Sequence, residues 1–165
     1  GMRQAFEPNI QIRIADEKLP ENGVKFDVEE FSGDGVVFNK QGLIVTAFAV
    51  DHGEHIKPAY GYRVDYGGRS VVISGDTRFD ENLIEIARGT DVLIHEVAAA
   101  RQELVNFDER IQLILDHHTT PEEAGIVFSR AAPKLAVYTH FVLLSGPGAP
   151  EVTLEELIKE IVPCY

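Results

Sequence analysis

Four apolar stretches of this chain each end on a polar group that can bind a metal or move a proton. Leu43–Val50 runs into Asp51-His52, Ser70–Ser74 into Gly75-Asp76-Thr77, Asp91–Ile94 into His95-Glu96, and Leu135–Thr139 into His140. All four have the same polarity, apolar first and chemistry last. That pattern predicts neighbouring buried strands whose ends meet at one sheet edge, where α/β proteins build their sites.

The rest of the pattern completes an α/β alternation. Ile10–Ala15, Val24–Glu29 and Gly35–Asn39 read as short strands, the first and last partly alternating. Leu43–Val50 is nearly continuous in apolar residues, which predicts burial on both faces. Gly67-Gly68 predicts a tight hairpin turn between Tyr60–Tyr66 and Arg69–Ser74. Asn82–Arg88 predicts a short helix stopped by Gly89, and Ala98–Leu115 a mostly helical stretch. Pro121 opens a helix to about Ala131, with Thr119 or Thr120 as its cap and Glu122-Glu123 in its first turn. Ser145–Pro150 is a turn-rich connector. Thr153 caps a last amphipathic helix, with Glu156 at capping-box spacing.

Length and composition limit the class. The 165 residues fit one domain, 1–165, and 44% hydrophobic with 25% charged residues is a soluble globular composition. No apolar run approaches the ~20 residues that span a bilayer, so no membrane partner is expected. Gly1-Met2 reads as a cloning remnant before a start residue, and no signal peptide is visible. The single cysteine, Cys164, excludes an internal disulfide and a thiolate zinc cluster; the expected setting is reducing and cytoplasmic. A net charge of −12 weighs against nucleic acid, whose phosphates are bound mainly by Lys and Arg, and reads as a solubilising surface.

Each candidate residue has a plain structural alternative. A lone Gly-Asp-Thr such as Gly75-Asp76-Thr77 is usually a strand-ending turn, but a carboxylate there could bridge two cations. His52 and His140, taken singly, are more often satisfied polar residues at strand ends. Together His52, Asp76 and His140 offer imidazole and carboxylate, a mixture suited to zinc, iron or manganese rather than calcium or magnesium. His118 precedes a helix N-terminus, which disfavours an imidazolium and leaves a histidine able to give or take a proton. Glu96 could fix a histidine tautomer. His55 and His117 read as solvated loop residues. Arg63 and Arg78 are the candidates for local positive charge, Arg78 more readily as a surface ion pair.

In order along the chain stand Val45–Gly53, Tyr60–Arg63, Ser74–Thr77, Ile94–Glu96, His118–Ala124 and Thr139–Phe141. This series resembles the later motifs of the metallo-β-lactamase superfamily, nearest to its ribonuclease Z-like and arylsulfatase-like branch, from about Phe38 to Phe141. The resemblance implies an αββα sandwich with a two-metal site. It implies His52 at the first metal, Asp76 bridging and His140 at the second. It further implies that His118 assists proton transfer and that Glu96 orients it. The chemistry implied is metal-assisted hydrolysis of a phosphodiester, sulfate ester or related ester, with zinc, manganese or iron as cofactor.

The family's His-x-His-x-Asp-His motif is absent, since no histidine precedes His52. Two protein ligands per ion fall below the three of a catalytic zinc. The expectation is therefore the C-terminal part of the fold, truncated on its N-terminal side, with doubtful metal occupancy and no turnover by this chain alone. The alternative is a non-catalytic structural or regulatory module; a third reading is an α/β binding domain with incidental histidines. An incomplete sandwich would expose apolar sheet surface, which predicts a homo-oligomer or completion by another chain. Among substrates, the acidity and the lack of a basic or glycine-rich arm favour a small anionic ester over a tRNA precursor.

Overall fold

The computed structural model describes residues 2–24 and 28–161. The chain divides into two units, residues 1–32 and 33–165. The first unit contains α1 (Met2–Glu17) and a short 3-10 turn, Glu21–Val24. The strand expected over Ile10–Ala15 is thus helix. Its alternating isoleucines have no ladder partner, whereas a helix satisfies its own backbone. Side-chain bonds four residues apart, Gln11 to Glu7 and Arg13 to Asn9, add to it. The strand expected over Val24–Glu29 falls partly on residues outside the described ones. Val24 ends the 3-10 turn, and Val28 and Glu29 carry no regular structure.

The second unit is built on one six-stranded sheet in sequential order: β1 (Gly35–Lys40), β2 (Leu43–Ala49), β3 (Tyr60–Tyr66), β4 (Arg69–Ile73), β5 (Val92–Ala100) and β6 (Leu135–Leu144). The β1 to β4 pairs are antiparallel, and β4, β5 and β6 run parallel. Two antiparallel steps separate β2 from β4, so β2, β4, β5 and β6 all point the same way. This is the shared polarity expected from the four apolar runs. The hairpin turns at Gly67-Gly68, both with positive φ.

The parallel steps need crossovers. The first is α2 (Glu81–Ala87), capped by Asp80, whose carboxylate accepts from the Leu83 N–H at 3.0 Å. The second contains α3 (Gln102–Phe107), α4 (Glu109–Leu115) and α5 (Pro121–Ala131). A terminal helix, α6 (Leu154–Ile161), follows the connector. The core lies between α2, α5 and one sheet face, where Phe48, Val72 and Leu93 meet Leu83, Ile84 and Val127, all essentially buried.

Two expectations are met in part. The stretch Ala98–Leu115 is mostly helical, in α3 and α4, but its first residues are strand. Val97–Ala100 continue β5 by pairing with Phe141–Leu144, and Asp108 breaks the following helix in two by capping α4. A ladder partner overrides the helical propensity of alanine. β2 is buried in part: the adjacent Ala47 and Phe48, on opposite faces, are fully buried, and Leu43–Thr46 are half-buried. Helices cover one side of the sheet, while Ile73 and Val137, in register through Ile94, and Leu135 on the same face remain exposed on the other. This is an incomplete sandwich, as expected.

Candidate metal and proton-transfer site

The ends of β2 and β4, the middle of β5 and a kink within β6 deliver their polar groups to one place. Asp76 follows β4 through Gly75. A Cβ on Gly75 would lie 2.4 Å from the Tyr60 carbonyl oxygen, and its φ is +65°, so only glycine allows this turn. His52 lies in the loop after β2, beside Gly53, where a Cβ would meet the His117 ring at 2.5 Å. His140 is an extra residue in β6: Glu96 pairs with Thr139 and Val97 with Phe141. It takes φ +44°, in the left-handed region.

These three side chains converge on one oxygen. Asp76 Oδ2 lies 3.3 Å from His140 Nε2 and 3.9 Å from His52 Nε2. His52 Nδ1 is 2.8 Å from the His117 carbonyl oxygen. A carbonyl only accepts, so Nδ1 carries the proton and Nε2 is left as a lone pair facing Asp76. That tautomer suits a metal ligand. Among the described residues, however, no group of three His, Cys, Asp or Glu side chains closes into a metal cradle. The donor chemistry fits a zinc-type ion, while the number and arrangement fall short of a complete site.

Behind the trio lies a proton-bearing pair. Glu96 is almost fully buried; its Oε1 accepts from the Thr119 N–H at 2.8 Å and the Thr77 N–H at 3.4 Å. Its Oε2 lies 3.2 Å from His118 Nδ1. Burial pushes the Glu96 carboxyl up to about 8, against the two N–H donors that favour its ionised form. Burial also holds the His118 imidazole below its ordinary value, and the neighbouring His52 adds to the shift. The pair therefore favours a protonated carboxyl and a neutral imidazole near neutral pH. Glu96 then donates to Nδ1, and His118 carries its own proton on Nε2. The His118 ring stands 5.2 Å from that of His52 and 5.8 Å from that of His140.

All five predicted site residues, His52, Asp76, Glu96, His118 and His140, thus come together. Three supporting residues carried too little signal. His117, read as solvated, is half-buried, packs edge-on to His52 at 6.0 Å and supplies the carbonyl that sets its tautomer. Thr119 and Thr77 are fully buried and bind Glu96 through their backbones, linked by Thr119 Oγ1 to the Thr77 carbonyl at 2.7 Å. Backbone donors leave no mark on residue type. The arginines are largely committed. Arg63 makes a fork to Asp65 and donates to the Ile86 carbonyl, while Arg78 faces Asp51 at 3.9 Å and donates to the Asp116 carbonyl.

The beta-lactamase superfamily domain matches residues 4–141. The chain belongs to the metallo-β-lactamase superfamily. Its curated relatives include a putative ribonuclease Z of Mycobacterium tuberculosis (strain CDC 1551 / Oshkosh), 31% identical over 150 residues, covering 90% of this chain and 65% of that protein. Ribonuclease Z of Mycobacterium avium (strain 104) is 37% identical over 149 residues, covering 89% of this chain and 52% of the relative. The chain thus spans between about half and two thirds of these proteins' length. Among solved structures, the metallo-beta-lactamase fold protein YhfI from Bacillus subtilis aligns with a TM-score of 0.60 at 19% identity, over 82% of this chain and 48% of that one.

The relatives correct one expectation. Nucleic acid was expected to be an unlikely partner, and proteins that carry the name ribonuclease Z overturn that. A net charge summed over a chain does not measure the potential at a site where bound cations, rather than Lys and Arg, would meet a phosphate. No helix among the described residues is long and apolar enough to cross a membrane.

Proposed function

We propose that this chain carries the proton-transfer pair and part of the metal-ligand set of a metal-dependent phosphodiester hydrolase acting on RNA. The observation that carries the proposal is the meeting of His52, Asp76 and His140 at one carboxylate oxygen, with the Glu96–His118 pair directly behind. RNA is favoured over a sulfate ester by the names of the relatives.

When bound, a divalent cation at this trio would act as a Lewis acid on the phosphoryl group. The protein's own groups supply the rest. Nδ1–H to the His117 carbonyl locks the His52 ring. Asp76 draws both imidazoles to one point, and His118 can release the Nε2 proton to a leaving oxygen while Glu96 replenishes it through Nδ1. Three donors do not complete a dinuclear site, so turnover needs ligands from outside the trio. By itself this chain binds metal weakly and hydrolyses esters at or near background.

Zinc stoichiometry on chelator-free protein, alongside hydrolysis of bis(4-nitrophenyl) phosphate, tests this. Fewer than two equivalents of zinc are expected, lost in Asp76→Asn and His140→Ala, with hydrolysis near background. Zinc that persists in both variants, or no zinc in the wild type at micromolar metal, would sink the reading.

A further inference from the structure

His95 lies within β5, fully buried, with its ring edge-on to Phe128 at 6.0 Å between centroids. Its Nδ1 is 2.7 Å from the carbonyl oxygen of Glu96. The carbonyl can only accept, so Nδ1 holds the proton and Nε2 is a bare acceptor. That nitrogen meets no hydrogen-bond partner among the described residues. An unpaired acceptor in a dry core is unfavourable, and a leucine would fill the same space without it. What only the histidine offers there is the Nδ1–H.

The carbonyl it holds stands where the β5–β6 ladder changes register. Glu96 pairs with Thr139, the next pair is Val97 with Phe141, and His140 is left over. In an unbroken ladder His140 would pair with Val97, whose side chain is fully buried beside Val152 and Leu157. A slip of one residue turns a side chain to the opposite face. The bulge instead leaves His140 half-exposed with its Nε2 at Asp76.

The geometry points to His95 as a positioning residue: its Nδ1–H clamps the Glu96 carbonyl and holds the bulge that aims His140 at Asp76. The clamp deepens the proposed site and rests on that reading for its purpose, but its geometry belongs to the protein chain alone. The neighbouring Glu96 side chain, held by Thr77, Thr119 and His118, leaves the same residue.

Two substitutions separate a donor from a space-filler. Asparagine places an N–H where the imidazole has Nδ1 but is smaller. Leucine matches the bulk and donates nothing. In amide hydrogen exchange on the full chain, His95→Leu is expected to speed exchange across Glu96–Val97 and His140–Phe141 by about tenfold. His95→Asn is expected to stay within about threefold of wild type there, and Val92–Ile94 to keep their protection in both. The reverse ranking would make His95 a core filler and overturn the proposal. Long-range proton–nitrogen spectra of the wild-type imidazoles read the tautomer directly, without any variant. The Nδ1–H tautomer is expected, and an Nε2–H tautomer for His95 overturns the clamp. Zinc affinity of the same samples, by competition with a chromophoric chelator, keeps the two readings apart. A wild type that binds no zinc counts against the proposed function alone, because the exchange ranking still decides the clamp.

Discussion

At the scale of single residues, two adjacent buried groups resist charging in opposite directions of pH. Burial lowers the His95 imidazole from 6.5 to about 4. The folded state therefore binds this proton less readily than the unfolded chain, and stability falls on acidification from about pH 6.5 to 4, by roughly 3 kcal/mol at most. Glu96 is raised from 4.5 to about 8. The folded state keeps a proton that the unfolded chain has lost, so its contribution is full below pH 4.5 and is lost as pH rises through 8. Glu96→Gln mimics the protonated carboxyl. Urea unfolding should therefore show this variant gaining on wild type, by on the order of a few kcal/mol, between pH 5 and pH 8.5. A stability difference that stays constant with pH would refute the assignment. Neither behaviour follows from residue type alone: His95 and Glu96 are adjacent in sequence, and only burial and the Thr77 and Thr119 amides separate their roles.

At the scale of elements, local signals and ladder signals differ in how far the sequence reveals them. Helix α5 was legible because its start is written in neighbouring residues. Thr120 caps it, Pro121 opens it, and Glu123 returns a bond to the Thr120 N–H at 3.0 Å. Thr120→Ala should cost about 1 kcal/mol in equilibrium unfolding. It should leave the Thr119–Glu96 bond in place, so the Glu96–His118 pair should keep its pH behaviour; a cost below about 0.3 kcal/mol would discount the capping box. The far halves of β5 and β6 were less legible. Ala98–Ala100 read as helix because their strand character depends on pairing with Val142–Leu144, more than forty positions away. The bulge at His140 has the same origin. No residue type announces it, yet it decides which side of the sheet the histidine serves.

At the scale of the whole molecule, among the described residues of the second unit, helices cover one face of the sheet. Leu93 is fully buried under α2 and α5, while Leu135 is 55% exposed on the opposite side. Leu93→Ala should cost about 2–5 kcal/mol and Leu135→Ala less than about 1 kcal/mol, measured by urea unfolding. Equal costs would mean that both faces are packed in solution. The chain spans between about half and two thirds of the length of the relatives it matches.

The sequence by itself determined the family, the strand ends before His52 and Asp76, and the five residues that come together, but not that β5 and β6 continue past Glu96 and His140. These are local facts: an apolar run, a turn glycine and a polar terminus lie within ten residues of one another. Tertiary structure decided how those residues are placed. It set the His52 tautomer through a carbonyl 65 positions away, raised the Glu96 carboxyl by burial, and turned His140 toward Asp76 with a register shift. Each of these depends on a backbone group or a neighbour brought near by the fold, and backbone groups are the same for every residue type.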